Sequence, residues 1–194
     1  LHLQSSLLST SLPANTFAHS SRPLLNTFSS LYPTATMADE DSRHEQLFYA
    51  IEDGDDALAL SIVRGGVDVN GELDGCTHLW MASLCNRVAV VSCLLELGAD
   101  ADKATPNDGA PLGIAVASGC QEVVELLVEV GNAQLNKQDE WGRTALHCAA
   151  RLNHLETAKY LVARGCSLTV QDNDGRTALD IATRFNYPQL VQFL

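Results

Sequence analysis

An all-α repeat solenoid, built of stacked helix-turn-helix units joined by β-hairpin loops, is the fold class this sequence predicts, and three periodic features predict it. Leu47, Leu79, Leu112, Leu146 and Leu179 are each followed three residues later by an alanine: Ala50, Ala82, Ala115, Ala149 and Ala182. Four residues beyond each alanine stands Gly54, Asn86, Gly119, Asn153 or Asn186, and further on comes Gly66, Gly98, Gly131 or Gly165. The leucines lie 32, 33, 34 and 33 residues apart. A period in that range marks supersecondary units that bury their apolar faces against one another, not a single round core.

The elements of one unit are clearest from Trp141 to Gly165. Thr144 is placed to cap a short helix with Leu146, Ala149 and Ala150 on its inner face, and Asn153 to end it in the left-handed conformation. Leu155, Ala158, Leu161 and Val162 recur at helical spacing and predict a second helix, which Gly165 stops in the same way. The recurring alanine has a steric reading, because short helices approach closely only where a side chain is small. Between units, Asp74-Gly75, Asp108-Gly109, Trp141-Gly142 and Asp174-Gly175 place turn dipeptides where a protruding hairpin is needed. Each helix is expected to span about two turns, a length marginal alone in water, so stability must come from stacking.

These residues resemble the ankyrin repeat family over roughly three quarters of the chain, as four units and most of a fifth. Thr144, Ala145, Leu146 and His147 stand where the family has its Thr, Pro, Leu, His signature. Thr77, His78, Leu79 and Trp80 keep two of the four; Ala110, Pro111, Leu112 and Gly113 lack the capping threonine and the histidine; Thr177, Ala178, Leu179 and Asp180 end on an aspartate. Leu47 opens the most divergent unit, with Phe48 and Tyr49 in place of a polar start, and Asn132 reads as a one-residue insertion. The expected organisation is a Ser/Thr-rich segment at 1–36, an acidic lead-in at 37–44 and repeats at 45–194, in units of about 45–73, 74–106, 107–139, 140–172 and 173–194.

The net charge is -12, and all 24 acidic residues but only 11 of the 12 basic ones lie after residue 36. Such a surface argues against nucleic acid as a partner. No apolar run approaches the length that spans a bilayer, so membrane insertion is not expected. Residues 1–36 hold eight serines, five threonines and three prolines, with Arg22 as the one charged side chain, and no order is expected there. They read either as upstream sequence outside the working protein, which would start at Met37, or as an organelle-targeting segment. At the other end Leu190, Val191, Phe193 and Leu194 form an apolar second helix without a terminating glycine, which calls for continuation of the chain or a covering partner. The setting expected from these features is cytoplasmic or nuclear.

Chemistry finds little purchase. Cys76, Cys85, Cys93, Cys120, Cys148 and Cys166 include no pair at zinc-ligand spacing and read as packing thiols, with zinc or redox sensing as the alternative. His147 has no serine, cysteine or carboxylate around it at triad spacing. The family resemblance implies instead a structural ring bonded to the threonine and to the neighbouring hairpin backbone. Glu52, Asp53, Asp55 and Asp56 lack a calcium-loop pattern and read as a solvated face. No catalytic residue, cofactor or metal is expected.

What remains is a binding surface. The resemblance implies a concave face made of hairpin tips and the exposed ends of first helices. Carried over position by position, it includes Leu73, Asp74 and Cys76 in the second unit, Trp141, Arg143, Arg151 and Leu152 in the fourth, and Asp174, Arg176, Arg184 and Phe185 in the fifth. Acids at Glu52 and Asp53 give way to arginines toward the carboxyl end. The expected function is therefore a non-enzymatic protein-protein interaction module, an adaptor or regulatory subunit, whose partner carries an acidic or phosphorylated segment that docks across units four and five on Trp141. The alternative is a targeting or autoinhibitory region of a longer enzyme or channel. The oligomeric state is left open.

Overall fold

Residues 40–105 and 109–194 are described by the structure, a computed structural model; the Ser/Thr-rich segment and Asp108 of one turn dipeptide lie outside them. Among the described residues, small residues at fixed intervals produce five helix pairs. They are α1 (Glu40–Asp53) with α2 (Asp56–Arg64), α3 (His78–Leu84) with α4 (Val88–Glu96), α5 (Pro111–Ala117) with α6 (Gln121–Glu129), α7 (Ala145–Leu152) with α8 (Leu155–Ala163), and α9 (Ala178–Arg184) with α10 (Pro188–Phe193). The first helices pack in one row, each against the next, and the second helices line the other side. Most helices have the two turns expected. The exception is α1 at 14 residues, because residues 40–44 of the acidic lead-in are its first turns.

The inner face is the predicted one. Leu47, Leu79, Leu112 and Leu146 are buried, as are all five recurring alanines. Leu179 departs from its counterparts and is 38% exposed, because α9 is the last helix of its row among the described residues and nothing packs beyond it. First helices end in the left-handed region at Gly54, Asn86, Gly119, Asn153 and Asn186, with φ of 54 to 59° at the three asparagines. The second-helix stops are left-handed at Gly66, Gly98 and Gly165 but not at Gly131, where the inserted Asn132 takes the positive φ of 52° instead. Gly131 is needed for another reason: a Cβ there would lie 2.7 Å from the Leu127 carbonyl oxygen and 2.9 Å from the Ala101 methyl.

Helix starts follow the local sequence. Thr77 Oγ1 accepts the Trp80 N–H at 3.1 Å. At α9 the aspartate that ends the variant signature reproduces the histidine's task locally: Asp180 Oδ2 accepts the Thr177 N–H at 2.9 Å and its hydroxyl at 2.7 Å. Those bonds hold the Asp180 carboxyl below its ordinary range. The α5 start has no side-chain cap, and Pro111 at its first position has no N–H to satisfy.

The hairpins are less regular than the turn dipeptides suggest. Only β1 (Glu72–Leu73) and β2 (Cys76–Thr77) form a strand pair among the described residues, around Asp74 and Gly75, both at positive φ. In the fourth and fifth units the tip is a tight turn, closed by Asp139 N–H to Arg143 O at 3.0 Å and by Asp172 N–H to Arg176 O at 2.9 Å. Side chains then tie one unit to the next. Asn70, Asp102 and Asn136 each accept a backbone N–H from the following unit, at Asp100, Gln134 and Ser167.

Candidate functional site

Two carboxylates, the half-buried Asp139 and the buried Asp172, shape the tips of the fourth and fifth units. Asp139 Oδ1 accepts the N–H groups of Trp141 and Arg143, while Oδ2 takes Arg143 Nε at 2.8 Å and Nη2 at 2.7 Å. Asp172 does the same with Asp174 and Arg176, and Arg176 also reaches Asp174. Burial alone would raise the Asp172 carboxyl, but the hydrogen bonds and charge of Arg176, with the Asp174 N–H, outweigh it and hold it below the ordinary carboxylate range. Arg143 and Arg176 are therefore structural cations as well as surface ones. Arg143 also lies over the Trp141 ring, 4.3 Å from its centre, and leaves that indole 46% exposed.

The two tips are fastened to each other. Asn173 donates its N–H to the Trp141 carbonyl at 2.9 Å and its amide to the Glu140 carbonyl at 2.8 Å. Gln138 donates to Gly142 and Gln171. A Cβ on Gly142, at φ 73°, would meet Asn173 Oδ1 at 2.5 Å, so this glycine is required by the close approach. His147 completes the joint. Its Nδ1 accepts the Thr144 N–H at 3.1 Å, which leaves Nε2 to donate to the Arg176 carbonyl at 3.1 Å. The ring is bonded as the resemblance implied, with both nitrogens engaged in holding backbone.

Behind the tips run the exposed ends of the first helices, in register from unit to unit. They read Glu52 and Asp53, then Leu84 and Cys85, Ala117 and Ser118, Arg151 and Leu152, Arg184 and Phe185. Leu152 is 38% and Phe185 42% exposed; Arg151 is half-buried and Arg184 exposed. Phe185 stacks on Tyr187, whose hydroxyl donates to the Arg151 carbonyl at 3.4 Å and ties the end of α7 to the turn between α9 and α10. In the second unit Leu73 and Cys76 are half-buried and Asp74 is exposed at its hairpin tip.

All six cysteines are free thiols, four of them buried. Burial raises Cys85, Cys120 and Cys148 above the ordinary thiol value and takes Cys166 to about 11, which keeps these sulfurs protonated and unreactive at neutral pH. Among the described residues no three His, Cys, Asp or Glu side chains converge as metal ligands, and no helix is long and apolar enough to cross a membrane.

One polar pair escapes the repeat reading. His44 Nδ1 and His78 Nε2 are 2.7 Å apart, with the rings stacked at 11°. His78 is fully buried, and His44 leaves no room for a side chain on Gly71. His78 sits where the signature has proline, and Trp80 fills the place of its histidine. The 34-residue interval between His44 and His78 is itself one repeat period, and that is the signal by which they were findable.

A family model described as ankyrin repeats, in three copies, matches residues 47–139 and 130–194. Among curated proteins, the chain is 36% identical over 100 residues to alpha-latroinsectotoxin-Lt1a of Latrodectus tredecimguttatus, which covers 50% of this chain and 7% of the toxin. It is 30% identical over 131 residues to human Rabankyrin-5, covering 61% of this chain and 11% of that protein. To human transient receptor potential cation channel subfamily A member 1 it is 37% identical over 92 residues, covering 46% of this chain and 8% of the channel. The matched stretch is thus a small part of each of these relatives.

Proposed function

Because the chain belongs to the ankyrin repeat family, we propose that it acts without catalysis, as an adaptor or regulatory subunit that holds a segment of a partner protein on the face made by its hairpin tips and first-helix ends. Ankyrin repeats are protein-interaction modules, and the finer assignment is to units four and five. The observation that carries it is the joined pair of tips: a rigid backbone, fastened through Asn173, Gln138 and His147, presents Trp141, Leu152 and Phe185 to solvent beside four arginines. Preorganised aromatic and arginine side chains are the residue types that dominate binding energy. The same reading gives the partner an acidic or phosphorylated segment and places the protein in the cytoplasm or nucleus.

The test is affinity for a partner captured with the whole chain. Trp141→Ala and Leu152→Ala are each expected to weaken binding about tenfold while the melting temperature stays unchanged. Losses below about 0.5 kcal/mol for both, with folding intact, would remove the face from the account. Arg176→Glu is unsuitable as a companion variant, because it would break the Asp172 contacts that form the tip.

A second reading draws on the size of the relatives. Proteins named as a channel and as an E3 ubiquitin-protein ligase contain matching repeats as a small share of their length. On that reading these repeats are a targeting or autoinhibitory arm of a larger protein, and the same face engages a segment of it.

A further inference from the structure

The four arginines of this face are not equivalent. Arg143 and Arg176 each hold the carboxylate of their own tip, at 2.7 and 2.8 Å. Arg151 and Arg184 have no ion pair among the described residues, and Arg151 Nε is buried without a hydrogen-bond partner. They occupy the same position in consecutive units, at the ends of α7 and α9, and each is followed by an exposed apolar side chain, Leu152 and Phe185. The Tyr187 hydroxyl, in the turn that follows α9, donates to the Arg151 carbonyl at the end of α7. Two uncommitted guanidinium groups on a chain of net charge -12 are a local departure from the charge of the whole.

Resting on the reading of this face as a docking surface, we propose that its occupant is an extended segment of a partner protein bearing two carboxylate side chains three residues apart, one for Arg151 and one for Arg184, with apolar side chains between them for Leu152 and Phe185. The spacing follows from the scaffold. Packed helices lie about 8 to 10 Å apart, so equivalent residues of α7 and α9 are separated by about that distance. A segment in the extended left-handed helix of three residues per turn rises about 3.1 Å per residue. Its side chains therefore return to the same side every third residue, after about 9 Å. A pleated strand returns after about 7 or 13 Å and does not match. A guanidinium fork donates two parallel hydrogen bonds to one carboxylate. Single arginines a repeat apart suit two separate monoanions better than one phosphate dianion, which draws on clustered arginines.

Fluorescence anisotropy with the whole chain and short synthetic peptides tests this. The peptides carry two glutamates separated by varied intervals, with leucines between, and a matching set carries one phosphoserine in place of both glutamates. Binding is expected to be tightest at a spacing of three, about tenfold above spacings of two or four, and to fall about tenfold with either Arg151→Glu or Arg184→Glu. It is also expected to weaken as salt is raised, whereas Arg64→Glu, outside this face, leaves it unchanged. Absence of binding, indifference to spacing, or a change under twofold for Arg184→Glu overturns the proposal. Tighter binding of the phosphoserine set overturns the carboxylate assignment. A captured partner that loses affinity with Trp141→Ala but not with Arg151→Glu or Arg184→Glu keeps the docking face and removes this occupant from it; loss with none of the three removes both.

Discussion

Replacing Leu146 by aspartate is expected to unfold the fourth unit and its neighbours together. Leu146 is 1% exposed on α7, the helix that packs against α5, α8 and α9. Truncation to alanine at such a site costs about 2 to 5 kcal/mol, and a carboxylate adds the penalty of a charge without a partner in an apolar layer. Because each pair is stabilised chiefly by the pairs on either side, loss of one central interface is felt by both flanks. Arg164→Asp is the control. Arg164 lies at the exposed end of α8, paired with Glu129 and stacked over Tyr160 at 4.9 Å, and exposed contacts of that kind contribute about 1 kcal/mol or less. Urea unfolding followed by circular dichroism distinguishes the two. A collapse of the transition for Leu146→Asp with a small shift for Arg164→Asp is the expected result, and equal shifts contradict the register of the stack.

The second large effect is a loss of stability on mild acidification, traced to His78. Burial, and then the charge on His44, lower the His78 imidazole from 6.5 to about 4, against a weak opposing pull from Asp68. The unfolded chain binds a proton at that position as pH falls through 6.5, whereas the folded chain does so only near 4. The contribution of His78 to stability is therefore full above pH 6.5, declines between 6.5 and 4, and falls no further below that, for a total of about 3 kcal/mol. Physically, a second proton would place a charge on a fully buried ring 2.7 Å from His44, in the contact that holds α1 to the start of α3. His78→Leu is expected to flatten the decline between pH 6.5 and 4, with urea midpoints as the readout. The Asp172 and Asp180 carboxyls, both held below their ordinary range, lose their contribution only at more acid pH, so the two windows separate. An unchanged slope in His78→Leu would show that the decline has another source.

Much of the architecture was legible because it repeats. A leucine, an alanine and a left-handed stop at constant intervals each report one backbone requirement, and five copies make the pattern hard to mistake. The family assignment and the helical stack follow from that. What stayed illegible was whatever occurs once. Asn132 reads as an insertion, but the sequence does not show that it takes the left-handed role in place of Gly131, or that Leu127 and Ala101 approach Gly131 too closely for a Cβ. The strand pair forms at Asp74-Gly75, where both turn residues have positive φ, and not at the Trp141 and Asp174 tips, where only the glycine does.

The candidate face was legible as positions and not as roles. Arg143, Arg151, Arg176 and Arg184 look alike in the sequence, and only the geometry shows two of them holding Asp139 and Asp172. The i to i+4 spacing of those aspartates before their arginines was present in the sequence, and is the signal that would have separated the two pairs. His44 and His78 were missed for a different reason. They belong to the most divergent end of the array, where departure from the family pattern obscured a contact one repeat period apart.

Hydrogen exchange of the full chain, alone and bound to its captured partner, tests the central claim most directly. Slowed exchange at the tips 139–143 and 172–176 and at the ends of α7 and α9, with α8 and α10 unchanged, is the predicted result. Protection confined to α8 and α10, with the tips exchanging as before, would contradict it and move the docking surface to the opposite side of the stack.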